Sequence, residues 1–183
     1  MPKDRLELAK YFNELGFKKG DEVGVCTGRY SRILCDAIPG LELLGVDPYV
    51  PYKGYTDFRR QSTHDKNLAL TREALAPHPN YVLCMAFGHD VAKFIADGSL
   101  DFVFIDGNHK YEAVKEDIND WAPKVRKGGI VSGHDYYDFA SGRGGVVQAV
   151  DEYAKEHGYE VNSTGWTRGA HHDDKQPDWF FTK

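Results

Sequence analysis
The sequence predicts an α/β fold, a mostly parallel sheet with helices packed on both faces, in one domain spanning 1–183. Three observations lead there. Short apolar runs alternate with amphipathic stretches along the chain. A glycine-bracketed loop, EVGVCTGRYS, joins the first strand to its helix. The apolar runs LLGV and FVFI each end in an acid, Asp47 and Asp106, and IVSG ends in His134 and Asp135. Ligands of open α/β sheets lie beyond the carboxyl ends of the strands, so acids at those ends are aimed at a site.

The elements follow in order. Leu6, Leu8, Ala9, Phe12 and Leu15 recur at near-helical spacing and stop at Gly16, giving an N-terminal helix within 1–19. A strand over 22–26 and a helix over 30–37 flank the glycine loop. The second strand, 41–46, ends in Asp47. YVPYKGYTDFRR, rich in aromatic and turn residues, then leaves the sheet at the crevice end, and 49–66 reads as a flap over the site. Next come a helix (67–75), a strand (81–85), the loop AFGHD and a helix (91–96). LDFVFIDGNH carries a strand buried on both faces, after which Tyr111, Val114, Ile118, Trp121 and Val125 mark a helix with one apolar side. A strand at 130–133, a helix at 146–156 and two strands, 159–162 and 179–182, complete the pattern. Two strands close in sequence at the end imply an antiparallel edge.

Composition narrows the function. The chain has 23 basic and 28 acidic residues, a net charge of -5. They are interspersed, with no basic stripe to track a phosphate backbone, so nucleic acid is not expected as a partner. The polar start MPKDRLELAK and the absence of an apolar run of about 18 residues predict neither signal peptide nor membrane span, hence a cytoplasmic protein. Cys26, Cys35 and Cys84 are odd in number and form no CxxC pair, which reads as reduced, packing thiols.

The glycine loop points to a nucleoside. Asp47 lies 19 residues beyond Gly28, near the distance at which such folds place a carboxylate for ribose hydroxyls. Yet Gly24 and Gly28 give GxxxG, and Cys26, Arg29 and Tyr30 stand where a dinucleotide loop admits pyrophosphate. Adenosine attached to methionine is the nucleoside that fits, with Gly24, Gly28 and Ser31 in the loop and first helical turn as cofactor-binding positions. Ala86 and Phe87 would present apolar faces to an adenine. Asp106, His134 and Asp135 end two neighbouring strands and form a ligand set for a divalent ion, Mg or Mn among the choices; each could equally cap a helix or bond loop backbone. The HHDD run at 171–174 reads as an exposed hairpin tip.

The combination EVGVCTGRYS, LLGVDPY, DFVFIDGNHKYEAVKEDINDW, KGGIVSGHDY and terminal WFFTK resembles the class I S-adenosylmethionine-dependent methyltransferases, specifically the methyltransferase domain 24 type. The resemblance runs from about residue 20 to the end. It implies a Rossmann-like sheet of seven strands with a reversed last strand. It also implies that Glu22 and Gly24 line the methionine end of the cofactor, that Asp47 holds the ribose and that the 86–90 loop borders the adenine. Metal-dependent O-methyltransferase relatives use strand-end positions matching Asp106, His134 and Asp135, although His134 stands where they carry an acid. Asn108 replaces an acid that acts as base in sugar-type relatives, which leaves His109, His134 or a metal-bound alkoxide of the acceptor itself for that role.

The expected activity is O-methylation of a small hydroxylated acceptor, a sugar or catechol-like phenol, with Asp106 and either His109 or His134 catalytic. Tyr136, Tyr137, Phe139 and Trp166 would wall the acceptor. Three alternatives remain: a metal-independent N-methyltransferase, a non-catalytic cofactor-binding subunit and, against the glycine pattern, an NAD-linked oxidoreductase. Oligomeric state is not legible.

Overall fold
The computed structural model describes residues 1–137, 145–166 and 175–183. Phe139 and the HHDD run lie outside them. Seven strands form one sheet in the order β3-β2-β1-β4-β5-β7-β6, from β1 (Lys19–Val23), β2 (Glu42–Val46), β3 (Tyr81–Cys84), β4 (Leu100–Ile105), β5 (Val125–Gly133), β6 (Asn162–Ser163) and β7 (Trp179–Thr182). The pairs from β3 through β5 are parallel, whereas β7 runs antiparallel to both β5 and β6. The reversed strand is therefore not the edge. It sits between β5 and the two-residue β6.

Period-two alternation builds two cores. On β4, Phe102 and Phe104 pack with Leu8, Phe12, Leu34 and Ile38, so α1 (Arg5–Glu14) and α2 (Arg29–Ala37) cover one face. Val103 and Ile105 point the other way, onto Val114, Ile118 and Trp121 of α5 (Tyr111–Trp121) and Val150 of α6 (Val146–His157). Next to α2 lies α3 (Gln61–Leu75), and α4 (Gly88–Ala92) adjoins α5. No helix among the described residues is long and apolar enough to cross a membrane, and the three cysteines are half-buried and form no disulfide among the described residues.

Several boundaries differ from the sequence reading. The first ladder runs over Lys19–Val23 rather than 22–26, because Gly24 and Cys26 turn into the left-handed region (φ 92° and 54°). The expected flap is shorter, since 61–66 already belong to α3 and the irregular part ends at Arg60. It is tethered: Gln61 Nε2 donates to the Tyr49 carbonyl at 3.0 Å, and His64 Nε2 lies 3.1 Å from the Phe58 carbonyl oxygen.

Candidate active site
The carboxyl ends of β1, β2, β4 and β5 meet at two adjoining cavities that share Gly24, Cys26, Tyr55, Phe58, Asp106 and Gly107. Gly24 sets their junction. A Cβ there would lie 2.1 Å from the backbone oxygen of Asp106, so only glycine lets β1 and β4 approach this closely. Gly28 has a different task. Its Cβ would meet Leu75 Cδ2 at 2.7 Å, so it packs α2 on α3 and lines neither cavity.

One cavity, of about 290 Å³, runs from Asp47 and Tyr49 to Phe87, Gly88 and Asp117 under Tyr52, Tyr55 and Phe58. Tyr52 stacks on Tyr55 with centroids 5.0 Å apart and meets Phe87 edge-on at 5.3 Å. Asp47 is a clamp as well as a wall. Its Oδ2 accepts from the backbone N–H groups of Val25 (3.1 Å) and Cys26 (3.0 Å), and its Oδ1 accepts from Tyr49 N–H (2.8 Å). A carboxylate offers about four lone-pair sites, so capacity for a hydroxyl donor remains. Of the other expected cofactor positions, Phe87 lines this cavity. Ala86 instead packs on the core.

The second cavity, of about 390 Å³, holds the ionisable groups. Glu22 lines it, fully buried, and accepts a hydrogen bond from the Ser31 hydroxyl. Ser31 itself is buried behind Glu22, away from either cavity. Burial, only partly offset by that bond, pushes the Glu22 carboxyl up to about 8. Asp106 faces the opposite balance: burial would raise its pKa, but the charge of His134, the His109 hydrogen bond and Arg5 hold it well below the usual carboxylate range.

His109 and Asp135 complete the arrangement. His109 Nε2 stands 3.4 Å from Asp106 Oδ1 and 3.3 Å from Asp135 Oδ2. Burial works to lower the His109 pKa, but its bond to Asp106 and the charges of Asp106, Asp135 and Asp57 push it up to about 9. Burial raises Asp135, against the charges of His109 and His134. Ligand atoms of Asp106, His109 and Asp135 all lie within 4.8 Å of one another. His109 thus joins Asp106 and Asp135 in the cluster, and the expected His134 lies beside them, its Nδ1 donating to Asp178 Oδ1 at 2.7 Å and its Nε2 3.5 Å from Asp135 Oδ1.

Sequence reasoning missed Arg5, Asp178 and Asp117. From α1, the Arg5 guanidinium reaches Asp106 Oδ2 at 3.2 Å and Asp178 Oδ1 at 3.5 Å, over the Tyr30 ring at 4.7 Å. Its partners lie 101 and 173 residues away, a distance no local pattern signals. Among the expected acceptor walls, Tyr137 lines the second cavity. Tyr136 does not: its hydroxyl donates to Asp151 on α6 at 2.5 Å. Trp166 is 60% exposed and touches Tyr137 edge-on at 5.1 Å.

A family model described as a methyltransferase domain matches residues 22–136. The chain belongs to the methyltransferase domain 24 family. It is a class I, S-adenosylmethionine-dependent methyltransferase. No curated protein sequence matches it. Solved structures share the methyltransferase fold at low identity. The cofactor-bound protein Rv0187 from MTB superposes with a TM-score of 0.70 at 12% identity, over 97% of this chain and 78% of that one. An O-methyltransferase from Bacillus cereus in complex with SAH gives 0.68 at 13% identity, over 98% and 80%. The N-methyltransferase NodS from Bradyrhizobium japonicum WM9 gives 0.62 at 11%, over 98% and 94%. The methyltransferase cavity suits the nucleoside: Asp47 at one end offers acceptors, Phe87 and the stacked tyrosines offer ring contacts, and the Gly24 cradle leads toward Asp106.

Proposed function
We propose that this methyltransferase acts on a hydroxyl of a small, vicinally hydroxylated acceptor, with Asp106, His109 and Asp135 as the holders of a divalent ion. The observation that carries this reading is the convergence of their three ligand atoms within 4.8 Å, on the wall of a cavity of about 390 Å³, the size of a small-molecule site. The donor set of two carboxylates and one imidazole fits Mg or Mn, and Fe or Zn through the nitrogen. A net charge of -5 supports a small molecule over nucleic acid as the acceptor.

S-adenosylmethionine, when bound, supplies a sulfonium methyl for in-line displacement, and a divalent ion, when bound, supplies Lewis acidity toward the acceptor oxygen. The chain's own groups do the rest. Asp47 orients the ribose, Tyr52, Tyr55 and Phe58 exclude water, and Tyr137 bears on the acceptor. Asp135, which lines the cavity with its pKa raised by burial, is the carboxylate that would take the acceptor proton. The expected alternative bases fit less well. His109, as a holder of the ion, would commit its ring nitrogen there, and His134 stands between two acids, Asp178 at its Nδ1 and Asp135 Oδ1 3.5 Å from its Nε2.

A second reading, methylation without metal, including N-methylation, is favoured by one observation. Arg5 and the His109 imidazolium already neutralise Asp106 and Asp135. Turnover of a catechol and an amine panel separates the two, measured with Mg or Mn and after EDTA dialysis. Metal-restored turnover on the catechol supports the first reading, and chelator-insensitive turnover replaces it with the second.

A further inference from the structure
We propose that Asp117 is the residue by which this chain reads the exocyclic amine of the adenine, a role resting on S-adenosylmethionine as the ligand of the Asp47 cavity. Asp117 projects from the middle of α5 into that cavity, whose lining also includes Phe87, Gly88, His89, Tyr52 and Asn108. Its carboxyl lies against two glycines. A Cβ on Gly88 would stand 3.4 Å from Asp117 Oδ1, and one on Gly107 would stand 3.3 Å from Oδ2. These glycines follow β3 and β4, so the carboxyl looks through a gap where two crevice loops carry no side chain.

Asp117 has no hydrogen-bond or ion-pair partner among the described residues. Its nearest charges are the acids Glu116 and Asp120, and burial together with those charges pushes its pKa up to about 7. A desolvated carboxyl without a donor is costly. A donor arriving with the ligand offsets that cost.

The ligand brings three kinds of donor: ribose hydroxyls, the amino group of the methionine and the 6-amino group of the adenine. Asp47 serves the first. Glu22, which lines the adjoining cavity, is the acid at the methionine end. Phe87 and Tyr52 beside Asp117 offer the planar apolar surfaces that a purine requires. The 6-amino group is the donor that belongs there.

The test compares S-adenosylhomocysteine with S-inosylhomocysteine, in which a 6-oxo group replaces the amine, by calorimetric titration of the whole chain. Wild type should prefer the adenosyl ligand. Asp117→Asn, whose amide can face either group, should weaken the adenosyl ligand by about 10- to 100-fold, the usual range for a hydrogen bond to a charged group. The same variant should collapse the preference between the two ligands. Asp117→Ser, smaller and polar, should lose the preference as well, and circular dichroism verifies that both variants are folded. An unchanged preference overturns the proposal, even if both affinities fall together, because the carboxyl then only supports the cavity wall. Failure of wild type to bind either ligand removes the cofactor reading and the proposal with it, so the two failures are distinguishable.

Discussion

Gly24→Ala and Gly40→Ala form a matched pair. Both glycines sit in the left-handed region, with φ of 92° and 76°, so alanine carries a similar backbone penalty at each, roughly 1–2 kcal/mol. Their surroundings differ. Nothing lies within 4 Å of a Cβ on Gly40, whereas one on Gly24 would sit 2.1 Å from the Asp106 backbone oxygen, 2.4 Å from its carbonyl carbon and 2.7 Å from Gly107 N. These are backbone atoms at the end of a central strand, so no rotamer change relieves the overlap. Relief requires β1 and β4 to part, adding an overpacking cost of roughly 1–3 kcal/mol. Gly40→Ala should therefore lose about 1–2 kcal/mol and Gly24→Ala about 2–5 kcal/mol, read from urea midpoints. S-adenosylhomocysteine affinity should survive the first change and be lost in the second, since the cradle between the two cavities closes. Equal stability losses, or a Gly24→Ala protein that binds normally, would refute the argument that this contact shapes the site.

Two further outcomes test groups around it. Burial pushes Asp21 from 3.8 up to about 7, so between those values the folded protein holds a proton that the unfolded chain has released, and stability falls as pH rises through that window. Asp21→Asn removes this contribution: the variant should gain stability over wild type at pH 8, by on the order of 2–4 kcal/mol, with the gain vanishing toward pH 4 in paired urea titrations; a gain independent of pH would exclude the linkage. Tyr136→Phe should leave methyl transfer unchanged, because its hydroxyl serves Asp151, while Tyr137→Ala should raise the acceptor KM several-fold in steady-state assays; the reverse ranking would place Tyr136 at the acceptor.

What was legible in the sequence follows from how far each signal reaches. Short apolar runs ending in acids located β2, β4 and β5 because their determinants are local, and they located Asp47, Asp106 and Asp135 with them. The start of α3 was not legible: its first turns, QSTHDK, are largely polar, and the tethers from Gln61 and His64 to the preceding loop set it instead. β5 begins at Val125, a residue the sequence pattern puts on the helix, rather than at 130, because the ladder to β4 continues across a register shift between Leu100 and Phe102. At the candidate site, sequence placed these groups at strand ends that meet at the two cavities but not the direction of each side chain. His134 adjoins Asp135 in the chain, yet Asp178, brought in by the antiparallel β7, claims its Nδ1. His109 comes forward from the loop before α5.

Backbone conformation ties these pieces together. Cys26, Tyr49 and Asp135 are the non-glycine residues with positive φ among those described, and each follows a different strand at the crevice end. Side chains in that region cost about 1–3 kcal/mol each and persist where the surroundings hold them. Two of the three are held by one group: Asp47 accepts from the N–H of both Cys26 and Tyr49. The carboxylate proposed for the ribose is also the restraint that fixes the loop behind it and the first residues of the aromatic cover. On that proposal Asp47 acts on cofactor affinity twice, by its remaining acceptor capacity and by keeping two unfavourable backbone conformations in place before the ligand arrives. Its removal would release both at once, a larger loss than one hydrogen bond accounts for.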